Sequence, residues 1–211
     1  MPDFASISAS LDAIAAGSLI VVVDDDSETA TGALAGAAQF MDTEKLVWLS
    51  RRVAGLIGVP MLVDRADELE LELMVAEDEA TGRGAFTVSV DLVDGNTTGS
   101  SPADQARTIA ALARAEVAAD DFARPGHVFP LRAREGGVLK RAGHAEAVVD
   151  LCRLAGLSPV GVVADLLSAT GDMMPLDDAA AFATDNGLLL VSIADVVRRR
   201  RKSEILVEQM G

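Results

Sequence analysis

Both histidines of this 211-residue chain lie in one short segment, which runs from Arg124 to His144 and also holds arginines, glycines and prolines. Imidazole suits proton transfer near neutral pH and ligates divalent cations, while the planar guanidinium group binds phosphate oxygens in pairs. The glycines and prolines predict an irregular backbone near a cleft around His127 and His144. The alternative is structural, because a histidine in such a loop often only hydrogen-bonds backbone carbonyls.

This segment resembles the second half of the 3,4-dihydroxy-2-butanone 4-phosphate synthases, riboflavin-pathway enzymes that convert ribulose 5-phosphate into a four-carbon phosphate and formate. The similarity covers nearly the whole chain, although the first half fits poorly. It is carried by Phe86-Thr-Val-Ser-Val-Asp91, Thr97-Thr-Gly99, Ser101-Pro-Ala-Asp104 and His144-Ala-Glu-Ala-Val-Val-Asp-Leu151. The resemblance implies a sugar phosphate as substrate, Mg²⁺ or Mn²⁺ as cofactor, and a homodimer whose sites lie near a two-fold interface.

The resemblance also assigns roles to single residues. His127 matches a histidine required for catalysis, Arg141 an arginine that binds the phosphate, and His144 a histidine that binds the metal. Asp165 stands in place of a catalytic glutamate, and its side chain is about one methylene shorter. A displacement of the carboxylate by roughly 1 Å can cost on the order of 100-fold in the rate of a proton transfer. Thr98 and Asp104 fall at substrate-binding positions.

An acidic loop in the first half departs from the family pattern. The family reads Asp-Asp-x-x-Arg-Glu-Asn-Glu-Gly-Asp, whereas this chain reads Asp24-Asp-Asp-Ser-Glu-Thr-Ala-Thr-Gly-Ala33. In this register Glu28 replaces a substrate-binding arginine, Thr29 the metal-binding glutamate, Thr31 a second glutamate and Ala33 the closing aspartate. A neutral hydroxyl is a weak ligand for a hard cation, so we expect metal affinity to fall sharply.

Two other polar positions of the family are also changed. Ala145 replaces a threonine that would contact the substrate, and Arg52-Val-Ala-Gly55 replaces a His-Gly-Ser-Gly turn. Compensation is conceivable, because Glu28 after a one-residue shift, or the carboxylates of 24–26, could stand in for the missing ligand.

Three functions stay open at this stage. The chain is a weak synthase that uses Mg²⁺ or Mn²⁺, an enzyme of altered specificity on a related sugar phosphate or ketose, or a non-catalytic paralogue. The paralogue would need no cofactor, and it would act as a binding or regulatory subunit, for example in a heteromer with an active synthase.

Composition excludes several other classes of protein. A net charge of -15 gives no broad positive surface for nucleic acid, so small molecules and other protein chains are the expected partners. One cysteine cannot form an internal disulfide, and no apolar run approaches the roughly 20 residues of a membrane span. We therefore expect a cytoplasmic protein that does not enter the membrane.

The pattern of apolar residues predicts an α/β fold of the α+β type, a single-domain three-layer sandwich like that of the family. Strands are expected at 19–23, 59–63, 86–91, 159–163 and 188–193. In 86–91 apolar residues alternate with Thr87, Ser89 and Asp91, which predicts a half-buried strand with these polar side chains in water. Helices are expected from the Ser101 cap to about Asp120 and from near Ala145 to Leu154, where Gly156 supplies a left-handed stop. The basic run 198–202 is expected to be a solvated helix end. We assign residues 1–200 to the domain and 201–211 to a C-terminal tail. No GTP cyclohydrolase II domain is expected, since one cysteine cannot supply a cysteine-rich zinc site.

Overall fold

Eight strands and seven helices make up the computed structural model, which describes residues 2–25, 31–53, 55–75 and 84–210, the last six by backbone alone. The strands are β1 Ile20–Val23, β2 Gly32–Ala37, β3 Gly58–Met61, β4 Ala85–Phe86, β5 Val90–Leu92, β6 Phe122–Arg132, β7 Gly161–Asp165 and β8 Leu190–Ser192. The helices are α1 Ile7–Ala15, α2 Thr43–Ser50, α3 Val63–Glu68, α4 Pro102–Leu112, α5 His144–Leu154, α6 Leu176–Asp185 and α7 Ile193–Met210.

One mixed sheet runs through the middle of the described structure, in the order β4-β6-β3-β7-β2-β1-β8, with β5 paired to β6. Alternate residues of β1 enter different cores: Val21 and Val23 pack with α2, α3, α4 and α6, whereas Ile20 and Val22 pack with α1, α5 and α7. A strand that is buried on both faces reads as a continuous apolar run. The predicted three-layer α/β fold is therefore confirmed.

The predicted strands are recovered with shifted ends, except for 86–91. The alternation there predicted that Thr87 and Ser89 would face water, but both are buried. The Thr87 hydroxyl donates to the carbonyl of Pro130, and the Ser89 hydroxyl accepts from the Gly126 N–H at 3.1 Å. The prediction of a single half-exposed strand is wrong, because hydrogen bonds to β6 draw these polar groups inward and split the segment into β4 and β5.

Two strands, β2 and β6, were not predicted from the sequence. β6 holds Pro125, Gly126 and Pro130, residues that read as a loop, and β2 holds only small residues beyond Leu34. The prediction of irregular backbone at the histidines is therefore wrong, because His127 lies within β6 and His144 is the first residue of α5. Ala33, which was assigned to the acidic loop, lies in β2 and is fully buried.

The predicted start of α4 and the predicted end of α5 at Leu154 are confirmed, whereas the predicted end of α4 is wrong. The Ser101 hydroxyl accepts from the Asp104 N–H at 3.1 Å as the N-cap of α4, and Gly156 takes the expected positive φ of 75° after α5. However, α4 ends at Leu112, well short of Asp120. Helix α7 continues through residue 200 without a break, and Arg200 is only 4% exposed, so the prediction of a wholly solvated basic run is wrong.

Truncating Leu34 should reveal how much of the core depends on β2. Its side chain is fully buried, so Leu34→Ala should lower the free energy of unfolding by about 2–5 kcal/mol. Urea denaturation followed by circular dichroism measures the change. Leu56→Ala is the control, because that side chain is 53% exposed and its loss should cost less than about 0.5 kcal/mol. Equal losses would mean that β2 is not part of the core as described.

Candidate functional site

His127 is held by a carboxylate that the sequence analysis did not single out. The Oδ2 atom of Asp91 lies 2.7 Å from His127 Nδ1, and Asp91 Oδ1 accepts from the His127 backbone N–H at 2.9 Å. Because an ionised carboxylate only accepts, Nδ1 carries the hydrogen and Nε2 is left free to take up a proton. The imidazole is 48% exposed, so this nitrogen can meet a ligand.

The turn at 97–99 packs against this pair. Gly99 has a φ of 79°, and a Cβ built on it would overlap the Asp91 carboxylate, so only glycine fits. The buried Asp104 accepts from the Thr97 hydroxyl at 2.8 Å, the Thr98 N–H at 3.2 Å and the Gly99 N–H at 3.1 Å. Asp104 therefore shapes the turn that presents the exposed Thr98. Direct substrate binding by Asp104 stays a prediction, which its 1% exposure disfavours.

A second group of candidate residues lines a cavity of about 200 Å³ at the start of α5. Arg141, His144, Ala145 and Asp165 all border it. Arg141 also borders a cavity of about 960 Å³ beside Arg134 and Lys140, so the walls of that space are cationic. The structure thus brings these four residues together at one cavity, while their roles stay predictions.

Two of the changed positions of the acidic loop border this group. Ala33 in β2 pairs with Asp165 in β7, and residues paired across strands present their side chains to the same face. The carbonyl of Thr31 lies 3.3 Å from His144 Nε2. The C-terminal end of the loop thus lies beside His144 and Asp165, two residues that line the cavity. The other two changed positions, Glu28 and Thr29, lie outside the described residues.

The two groups of residues face the same edge of the sheet. Gly58 of β3 pairs with Phe129 of the parallel β6 and with Val163 of the antiparallel β7. His127 and Asp165 each lie two residues further toward that edge, two strand spacings or about 10 Å apart. Leu56 lines both the His144 cavity and the cavity of about 230 Å³ beside His127.

A divalent cation fits the described residues only in part. His144 Nε2 lies within hydrogen-bonding distance of the Thr31 carbonyl, at 3.3 Å, so the two atoms can ligate a cation together only when Nε2 does not donate to this oxygen. Among the residues that the structure describes, however, no three His, Cys, Asp or Glu side chains are grouped to hold a metal. One carboxylate oxygen of Asp25 accepts from the Ser192 hydroxyl at 2.6 Å.

The cysteine does not belong to the chemistry of the site. Cys152 is fully buried on α5, and burial raises the pKa of its thiol to about 12, so it stays protonated at neutral pH.

The chain is similar in sequence to proteins of known families. The family model described as 3,4-dihydroxy-2-butanone 4-phosphate synthase matches residues 8–199. The bifunctional riboflavin biosynthesis protein RIBA 1 of Arabidopsis thaliana is 47% identical over 210 residues, which are 99% of this chain and 39% of that protein. The riboflavin biosynthesis protein RibBA of Nocardia farcinica is 45% identical over 97% of this chain and 50% of its own length. The chain thus spans half or less of these relatives.

A solved structure agrees with the sequence comparisons. A 3,4-dihydroxy-2-butanone 4-phosphate synthase in complex with two magnesium ions superposes with a TM-score of 0.90 at 37% identity, covering 95% of this chain and 99% of that one. In the described part of the present chain, no helix has the length and apolar character needed to cross a bilayer.

Asp104 gives the site region a measurable pH dependence. The Thr97 hydroxyl, together with backbone N–H groups, holds the pKa of Asp104 well below its usual range. Because the pKa of Asp104 is lower in the folded state than in the unfolded state, its ionised carboxylate stabilises the fold at a pH above the unfolded pKa of about 4. This contribution to stability is lost as the pH falls toward the folded-state pKa. Asp104→Asn should therefore lower stability at pH 7, and its difference from the wild type should shrink between pH 4 and pH 2. Urea denaturation across this range, with the exposed Asp94→Asn as control, measures it; a difference that does not vary with pH would contradict this account.

Proposed function

Because the chain belongs to the 3,4-dihydroxy-2-butanone 4-phosphate synthase family, we propose that it binds a sugar phosphate of the ribulose 5-phosphate type in the cavity beside His144. We also propose that its conversion of this substrate into dihydroxybutanone phosphate and formate is impaired. The supporting observation is that Thr31 and Ala33, where the family pattern has carboxylates, border His144 and Asp165.

The proposed substrate contacts follow from the side chains around the cavity. Arg141, whose side chain is 40% exposed, binds the phosphate with its planar fork. His127, oriented by Asp91, takes up a proton at Nε2, and the Asp165 carboxylate serves a second proton transfer. Thr98 adds a hydroxyl at the exposed turn. Arg141, His127 and Thr98 match the family pattern, and Asp165 keeps a carboxylate of shorter reach, so substrate recognition is better preserved than the acidic side of the site.

A divalent ion, Mg²⁺ or Mn²⁺, would be held by His144 with help from the Thr31 carbonyl. When bound, it stabilises negative charge that develops on the oxygens of a sugar diol. A hard cation needs carboxylates to compensate its charge, and Thr29 and Thr31 offer none. Glu28, Asp24 and Asp26 remain as candidate replacements on that loop. We therefore propose weak metal binding as the cause of the impairment.

An altered substrate is the second candidate, and one observation favours it. Ala145 borders the cavity together with Leu56, Phe86 and Leu131, so this part of the lining is apolar. Such a surface suits a sugar phosphate or ketose with fewer hydroxyl groups. The third candidate is a non-catalytic paralogue, which binds its ligand but does not convert it. It would act alone or as a subunit beside an active synthase.

The assembly and location of the protein are also proposals. The half-exposed His127 and the neighbouring cavity suit a homodimer in which the site lies near the two-fold axis. A cytoplasmic location is supported by the single cysteine, which cannot form an internal disulfide. Sedimentation would test the homodimer, and cell fractionation would test the location.

Formate release from ribulose 5-phosphate tests the proposed impairment. With excess Mg²⁺ or Mn²⁺ and high protein concentration, we expect release no faster than that of the His144→Ala control. Formate well above this control would mean that the acidic loop is compensated and that the chain is an active synthase. If neither protein releases formate, ribulose 5-phosphate binding by calorimetry separates a protein that holds this ligand from one of altered specificity.

Restoring the carboxylates should restore activity. The triple variant Thr29→Glu, Thr31→Glu, Ala33→Asp returns the three lost acidic side chains, and formate release should rise on the order of 100-fold. Ser50→Glu/Thr184→Glu adds carboxylates at exposed positions away from the site and should change nothing. Unchanged activity in a folded triple variant would show that the acidic loop does not explain the impairment.

A further inference from the structure

The loop between β6 and α5 is fastened to α5 by two buried carboxylates. Glu146 Oε1 accepts from the Arg134 N–H at 3.1 Å, and Asp150 Oδ2 accepts from the Val138 N–H at 2.9 Å. The two acids are one helical turn apart, and their side chains are only 1% and 2% exposed. Since this loop carries Arg134, Lys140 and Arg141, its backbone position sets where the cations stand.

Asp150 lies directly against the backbone of the loop. Gly137 has a φ of 60°, and a Cβ built on it would overlap the Asp150 carboxylate, so the close approach requires glycine. From this 3₁₀ turn, Gly137–Leu139, the carbonyl of Gly137 accepts from the Arg141 N–H at 3.1 Å. One hydrogen bond from Val138 and one from Arg141 thus join Asp150 to the phosphate-binding arginine.

The charge that makes a buried Asp150 tolerable comes from the C-terminal helix. Arg200 of α7 pairs with Asp150 Oδ1, and its side chain is only 5% exposed. The other guanidinium nitrogen bonds Glu204 at 2.8 Å, which fixes the arginine. A second cation, Arg153, lies 3.7 Å from Asp150 but is 49% exposed and therefore screened. Burying a charge costs several kcal/mol unless it is paired, so Asp150 depends on Arg200.

We propose that Asp150 and Arg200 are positioning residues for anion binding: the C-terminal helix holds the 134–141 loop, and with it Arg141, through the Asp150 carboxylate. The affinity for the phosphate group thereby depends on a helix that lies outside the cavity. The affinity part of this inference rests on the proposed function, whereas the fastening of the loop does not.

Two double variants separate the fastening from the charge pair. Asp150→Asn/Arg200→Met removes both buried charges but keeps an oxygen that accepts from the Val138 N–H. Asp150→Leu/Arg200→Met removes the charges and the acceptor, with a side chain of similar size. Neither variant leaves a buried ion unpaired, so both should fold. Arg153→Gln, which removes the exposed cation, is the control and should match the wild type.

Hydrogen exchange of peptides that cover 134–141 and calorimetric binding of inorganic phosphate are measured on all variants. The leucine variant should exchange these amides at least about tenfold faster than the asparagine variant and should bind phosphate about tenfold more weakly, as expected for one lost buried hydrogen bond. Peptides from β1 should exchange equally in both, which excludes global destabilisation.

Equal exchange of 134–141 in the two double variants would overturn the inference, as would equal phosphate affinity when the exchange differs. If the wild type binds no phosphate, the proposed function fails, and hydrogen exchange alone decides the fastening of the loop. The two double variants then test the hydrogen bond from Val138 to residue 150. Faster exchange of 134–141 in Asp150→Asn/Arg200→Met than in the wild type is expected if Arg200 of the C-terminal helix contributes, and equal exchange would contradict that part of the inference.

Discussion

The antiparallel pairing of β2 with β7 is the constraint on which the candidate site depends. It runs from Ala33 opposite Asp165 to Ala37 opposite Gly161, in the middle of the sheet. This register fixes the end of the acidic loop beside the Asp165 carboxylate at the end of β7. It also brings Thr31 to the first turn of α5, where His144 begins the helix. A change of register by one residue would turn every side chain of β2 to the opposite face.

The two sides of the candidate site differ in how many polar side chains of the family pattern they keep. The side built by β6, the 97–99 turn and α5 retains an oriented imidazole and a cationic wall. The side built by the start of β2 offers a carbonyl and a methyl group where a hard cation needs charged oxygens. A protein can keep its fold through such a change, because the packing of β2 depends on small side chains and not on the lost acids. Ligand recognition and catalysis can thus be lost separately.

Local signals in the sequence predicted the elements that depend on local interactions. The apolar run of β1, the Ser101 cap and the Gly156 stop each act within a few residues, and each is found where it was expected. β2 and β6 could not be read in this way, since their glycines and prolines are tolerated only because distant strands supply partners. Gly126, for example, donates to the carbonyl of Ser89, 37 residues away.

The same distinction applies to the site. Family resemblance located Arg141, His144, Ala145 and Asp165, which do border one cavity. The role of Asp91 was missed, because the alternating pattern predicted only a solvent-exposed residue at the end of a strand. The tertiary fold is what brings the Asp91 carboxylate to His127. Arg200 was missed for a similar reason: within a run of basic residues, nothing but tertiary packing distinguishes the one arginine that pairs with Asp150.

The measurement that tests the central claim most directly is a titration with Mn²⁺, followed by electron paramagnetic resonance, of the wild type and of Thr31→Glu/Ala33→Asp. If missing carboxylates beside His144 and Asp165 weaken the metal site, the double variant should bind Mn²⁺ at least about tenfold more tightly, and His144→Ala should abolish the gain. Equal affinity in the wild type and the folded double variant would contradict the claim.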